Sequence, residues 1–175
     1  MNKDETAVQT DQYLTFTLDK EVFAIEINRI REVIDYLNVT PVPRMPVFLR
    51  GVINLRGNVV PVIDLRLMLG MKATEKKVDT CIIITEVVIE QTSIHLGMLA
   101  DSVQEVIDVD SSQIDAPPKL GTMLNTDFIR GMGKRGDAFF IILNIDRVLS
   151  CSDLTFITKM KATAEEEKQE SGCAA

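Results

Sequence analysis

The chain has no tryptophan, a single histidine and only three cysteines in 175 residues. With His95 alone and no two cysteines close together, a zinc site of ordinary ligand spacing cannot be assembled. Cys81, Cys151 and Cys173 are odd in number and far apart, which argues for a reducing compartment over a disulfide framework. No apolar run reaches the ~18 residues of a membrane span, and the opening MNKDETAVQTDQ has no signal-peptide core. Positive charge is also in short supply. The net charge is −7 and the Lys and Arg residues are scattered, so there is no nucleic-acid footprint. These absences predict a soluble, cytoplasmic protein that neither binds nucleic acid nor inserts into a membrane.

Catalytic patterns are missing as well. No Ser or Cys lies in a nucleophile elbow. His95 alternates with Ile94 and Leu96 in an expected strand, where a structural or surface role fits it better than catalysis or ligation. Residues 131–136, GMGKRG, spell G-x-G-x-x-G, but that fingerprint needs a strand before it and a helix after it. Here an apolar strand follows. The sequence therefore reads as non-enzymatic, with no cofactor and no metal.

What the chain does have is a repeated β pattern. In FLRGVINLRGNVVPVIDL, residues 48–65, two Arg-Gly pairs flank a β-branched run and a second run follows at once. This predicts a hairpin, with strand 51–56, turn 57–58 and strand 59–64. Pro61 lacks a donor and belongs at an edge or bulge. Asp64 is placed to cap a helical turn, 65–69, which Gly70 ends. Phe128-Ile129-Arg130-Gly131 repeats Phe48-Leu49-Arg50-Gly51 at an offset of 80, and Arg135-Gly136-Asp137 repeats Arg56-Gly57-Asn58 at 79. That reading makes the second loop one residue shorter and leaves Leu55 without a counterpart. Glu32-Val33-Ile34-Asp35 recurs identically as Glu105 to Asp108, and prolines separate the two landmarks in each half. The order and spacing describe a duplicated β unit.

In chain order, residues 1–12 are expected to fray. Tyr13 to Leu18 alternates, with Leu14, Phe16 and Leu18 inward and Tyr13, Thr15 and Thr17 outward. A turn at 19–21 leads into a strand over 22–27, then a helical turn over 28–31. Pro41, Pro43 and Pro46 make 40–46 extended. Residues 71–79 form the charged link between halves, and strands follow over 81–88, 92–100 and 138–145. Ser152 is placed to cap a C-terminal helix over 153–161. The acidic tail, 162–175, cannot bury enough surface to order itself.

The run FLRGVINLRGNVVPVIDLR, preceded by VPRMP and followed by a second Arg-Gly hairpin, resembles the CheW-like family of bacterial chemotaxis coupling proteins, over roughly residues 12–158. The resemblance implies a mainly β fold of two five-stranded SH3-like barrels packed on a shared core. It implies one CheW-like domain over 12–161, with half-units roughly 12–70 and 80–150 that can exchange strands, a helix at 151–161, a flexible 1–11 and a disordered 162–175. It further implies an adaptor between chemoreceptor tips and the histidine kinase CheA, sited at receptor arrays beneath the inner membrane and able to pair with further CheW copies. Family members that carry a receiver domain are longer than this chain.

On the matching positions, the receptor-facing residues are Ile30, Glu32 and Arg56, within a signature that adds Asn54, Leu55 and Gly57; a kinase-facing role falls on Val39. A receptor tip is a helical hairpin, which suits a groove between barrels, with Arg56 at its rim and Ile30 for apolar contact. A structural reading stands beside this one, because Arg56 and Glu32 have counterparts in Arg135 and Glu105. Two other functions remain open: a scaffold for a different chemosensory kinase, and a small-ligand-binding β module.

Overall fold

The computed structural model describes residues 10–89, 91–116 and 128–148. The expected C-terminal helix, its Ser152 cap and the acidic tail lie outside the described residues, as do Pro117 and Pro118.

Eleven strands are described. β1 is Thr10–Leu18, β2 Glu21–Glu26, β3 Ile30–Asp35, β4 Leu49–Leu55, β5 Asn58–Asp64 and β6 Cys81–Ile89. β7 is Thr92–Ala100, β8 Ser102–Asp110, β9 Ile114–Asp115, β10 Ile129–Arg135 and β11 Ala138–Leu143. A 3-10 turn over Ile27–Arg29 leads into β3, and two four-residue helical turns, α1 (Leu65–Met68) and α2 (Ile145–Val148), follow the Arg-Gly hairpins. Asp64 caps α1 by accepting from the Arg66 amide at 3.0 Å, and Gly70 follows with φ +80°.

The strands form two mixed sheets, ordered β3-β6-β7-β5-β4 and β8-β1-β2-β11-β10-β9. They are two SH3-like barrels, the sixth strand of the second sheet being the two-residue β9. Each repeat reads as a hairpin, an edge strand and an Arg-Gly hairpin. The leading hairpins are exchanged: β6–β7 completes the sheet of β3, β4 and β5, while β1–β2 completes that of β8, β10 and β11.

The exchange explains why central strands are buried on both faces. Leu14, Phe16, Leu18, Ile63, Ile83, Leu96 and Met98 meet in one cluster shared by both sheets. The opposite faces fill the barrels: Ile53, Val60, Val62, Ile82, Ile84 and Leu99 in the first, and Tyr13, Ala24, Val109, Phe140 and Ile142 in the second. This corrects the outward assignment of Tyr13 and Thr15, which are 0% and 1% exposed. Tyr13 lies inside the second barrel. Thr15 sits at a register shift, where its hydroxyl donates to the Glu105 carbonyl at 2.9 Å and accepts from the Glu105 amide at 3.2 Å. Polarity alone predicts exposure; a local hydrogen-bond pair removes that penalty.

Other expectations shift in position. β1 begins at Thr10, paired to Asp110, where fraying was expected. The 40–46 stretch is not simply extended: it turns at Pro43–Arg44, with Arg44 at φ +62°. β5 is an interior strand, yet Pro61 precedes the first pair of its ladder with β7, Val62 with Gly97. A missing amide costs little where one neighbour has not yet begun.

The Arg-Gly hairpins are equal in length. Leu55 pairs with Asn58 and Arg135 with Ala138, so the offset of 80 holds throughout and Leu55 has Arg135 as its counterpart. The first turn is Arg56-Gly57, both at positive φ (51° and 85°), a type I′ pattern. In the second, Gly136 has φ +61° and Asp137 is not left-handed. Arg56 thus stands opposite Gly136 by position, one residue away from the alignment by residue type.

Candidate functional site

The Glu-Val-Ile-Asp repeats lie on β3 and β8, each at one end of its sheet's strand order. From each, the chain crosses to the far end. Thr40 makes two backbone bonds with Val52 on β4, 2.8 and 2.9 Å, and β9 pairs with β10 at Met132 and Gly133. These contacts bring the two ends of each sheet together. Gly51 and Gly131 are glycine because of this approach: a Cβ on Gly51 would stand 2.0 Å from the Thr40 carbonyl oxygen, and one on Gly131 would stand 2.5 Å from Ile114 Cγ2. In the G-x-G-x-x-G segment only Gly136 needs its positive φ, whereas Gly133 leaves room for the Phe140 ring, 2.1 Å from where a Cβ would be. The segment is strand β10 plus a turn followed by β11, which is hairpin geometry rather than a strand-to-helix phosphate loop.

An ion pair spans each sheet in a similar way, from β3 to the β4–β5 turn in one and from β8 to β10 in the other. Arg56 donates from Nη1 to Glu32 Oε1 at 2.7 Å and from Nη2 to Oε2 at 2.8 Å. Arg135 pairs with Glu105 in the other sheet. The Arg56 hydrogen bonds hold the Glu32 carboxyl below its usual range, and Glu32 in turn raises Arg56. Glu32 is two residues from Ile34, and Glu105 two from Ile107, both of which pack on barrel-interior clusters. Alternation therefore puts both glutamates on the inward strand face, one step nearer the barrel end.

The other expected site residues divide. Asn54 accepts from the Gly57 amide at 2.9 Å and so fastens the turn that presents Arg56, whose side chain is 73% exposed. Leu55 and Val39 are half-buried against the interior of the first barrel, while Ile30 packs on the shared core. Arg56, Glu32, Asn54 and Gly57 are brought together; Leu55 and Val39 share the interior of the first barrel, and Ile30 serves the shared core instead. Sequence reasoning missed a neighbouring group. Glu86 stands opposite His95 in the β6–β7 ladder, pairs with Arg31 and accepts from Ser93. The Ser93 hydrogen bond, and then Arg31, lower the Glu86 carboxyl. Glu86, Ser93 and His95 alternate with buried Val87, Ile94 and Leu96, and that alternation was the available signal.

The CheW-like domain family profile matches residues 12–152. The chain belongs to the CheW-like family. The CheW-like match agrees with individual relatives. Chemotaxis protein CheW of Klebsiella aerogenes is 30% identical over 146 residues, covering 83% of this chain and 86% of that protein. Chemotaxis protein CheW of Helicobacter pylori is 32% identical over 148 residues, covering 85% and 87%. Among solved structures, the scaffolding protein TtCheW of Thermoanaerobacter tengcongensis superposes with a TM-score of 0.72 at 30% identity, covering 87% of this chain and 96% of that one. In this chain the two Arg-Glu ties therefore belong to a CheW-like fold.

Proposed function

We propose that this chain is a non-catalytic chemotaxis adaptor that couples chemoreceptor tips to the histidine kinase CheA at receptor arrays beneath the inner membrane. Family membership and a relative described as a scaffolding protein support a protein-interaction role in the chemotaxis machinery. The observation that favours a contact at Arg56 is its exposure. Both its Nη atoms hold Glu32, yet the side chain stays 73% open on a turn fastened by Asn54. A guanidinium fixed in this way loses little rotamer freedom on binding a helix carboxylate.

In this reading Arg56, Glu32, Asn54 and Gly57 form the polar rim for the receptor tip. Ile30 supplies apolar contact beside it, Leu55 backs the turn, and Val39 belongs to the kinase side. CheA's own CheW-like regulatory domain and further CheW copies are the remaining partners. Co-sedimentation with receptor-containing membranes, with and without CheA, is the test. Receptor-dependent pelleting that increases with kinase supports the adaptor role; no pelleting in either case refutes it.

A further inference from the structure

Where the β1–β2 turn meets the 71–79 link, the surface opens into a cleft of about 400 Å³. Its floor includes Arg66, whose side chain is only 12% exposed and whose two partners also line the cleft: Asp19 at 3.7 Å and Asp101 at 3.3 Å. Those two carboxylates are therefore committed. Lys20, Lys72 and Lys77 stand around the same opening, with Glu75 the remaining acid. They are three of the five lysines among the described residues, and none has an ion-pair partner there. A chain of net charge −7 has thus gathered most of its described lysines, unpaired, around one concavity. Such a concavity attracts a run of carboxylates.

The sequence contains one run of three consecutive acids, Glu165-Glu166-Glu167, in the stretch beyond the described residues. It can reach. About 17 residues run from Val148 to Glu165; with the expected helix over 153–161 rising ~1.5 Å per residue they still span roughly 40 Å, whereas a domain of this size has a radius of gyration of about 15 Å. Tethering also raises the local concentration of the segment to about millimolar, so contacts too weak for a free peptide suffice.

We propose that the cleft formed by Lys20, Lys72 and Lys77 over Arg66 is a carboxylate-docking site, and that its occupant is Glu165–Glu167 of the same chain. The docked segment lies across the β1–β2 turn and the 71–79 link, which serve different sheets. It also shields the three lysines from acidic segments of other proteins. Being electrostatic and exposed, the contact is open to salt.

The test is zero-length carbodiimide coupling of the full chain, with cross-links mapped by mass spectrometry in the monomeric fraction. At low salt, Glu165–Glu167 should couple to Lys20, Lys72 or Lys77 at least about five-fold more than to Lys76 or Lys134. That preference should vanish near 1 M salt, where the screening length is ~3 Å. Coupling spread evenly over all five lysines, or found only in dimers, overturns the proposal. A second measurement uses the full-length variant Glu165→Gln/Glu166→Gln/Glu167→Gln. Acylation of Lys20, Lys72 and Lys77 should quicken at least about two-fold while that of Lys134 stays the same. Unchanged rates at all four lysines overturn the proposal as well.

Discussion

Arg56 grips both carboxylate oxygens of Glu32, at 2.7 and 2.8 Å, and so binds the β4–β5 turn to β3 at the other end of the same sheet. Arg135 pairs with Glu105 in the second sheet from a position one residue earlier in its hairpin. Because the duplicated barrel retains the tie while its sequence position drifts, the contact is part of how each barrel is made. A role in binding must be shown over and above that.

The tie has a pH signature. Arg56 lowers the Glu32 carboxyl, so its stabilising contribution is complete above the ordinary glutamate range of about 4.3 and is lost as pH falls through the lower folded value. Carboxyl carbon resonances should give a Glu32 midpoint below that range, moving upward in Arg56→Ala. An unchanged midpoint in the variant would detach the shift from Arg56.

Receptor binding should separate the two arginines. Arg56→Asn is the suitable substitution, since Asn accepts the left-handed conformation that Arg56 occupies at φ +51° while losing the guanidinium. Co-sedimentation with receptor membranes should drop about five-fold or more for Arg56→Asn and stay within two-fold for Arg135→Ala. Equal losses for both, or an Arg56→Asn protein that melts well below the wild type, would favour a purely structural tie.

The glycines should form a graded series. Gly51→Ala combines φ +142° with a carbonyl 2.0 Å from the new Cβ, so at least about 2 kcal/mol should be lost in denaturant unfolding. Gly70→Ala has φ +80° but open space around it, and should cost only about 1 kcal/mol. A reversed order would contradict the account of how Thr40 approaches β4.

Tyr13→Phe should be neutral or stabilising by up to about 1 kcal/mol. The Tyr13 hydroxyl is buried in the second barrel with no hydrogen-bond partner among the described residues, so deleting it removes a desolvated group. A clear fall in melting temperature would reveal a partner for that hydroxyl.

Cys81 should resist alkylation until the chain unfolds. It is 8% exposed, and burial, aided by nearby Asp35, Asp101 and Asp79, pushes its thiol up to about 11. In a Cys151→Ser/Cys173→Ser background, labelling at pH 8 should follow global unfolding. Stability should also decline from about pH 9 upward, because the unfolded thiol ionises before the folded one does. Rapid labelling of the native protein would contradict this.

The repeated landmarks were readable because each is a run of residue types that local geometry demands: Arg-Gly where a backbone passes close, and Asp64 where a helical turn starts. That β5, β6 and β7 are strands was equally plain from their apolar, β-branched runs. The faces of β1 were not, since alternation identifies one buried side while the exchange of hairpins buries the other as well. The hairpin register was misread by one residue for a different reason. Arg135 and Arg56 look alike in sequence, and only strand pairing places Leu55 opposite Arg135. At the site, Glu32 with Arg56 was legible as a pair of repeated charges. The packing of Val39 and Leu55 into the first barrel was not, because a lone apolar residue beside a turn carries no direction.

The exchange of hairpins also sets a timetable for a ribosome. When the first 70 residues have emerged, β1 and β2 have each other but no sheet to enter, since β1 next pairs with β8 and β2 with β11. β3, β4 and β5 must likewise wait for β6 and β7. Neither barrel can close on a nascent chain that ends at the link. A Val- and Ile-rich half-product therefore stays incomplete until β7 has emerged for the first barrel and β11 for the second. Such late, long-range pairing is slow and leaves strand edges open to unwanted neighbours. The chain's survival in the cell then depends as much on how its edges are guarded during those seconds as on the stability of the finished fold.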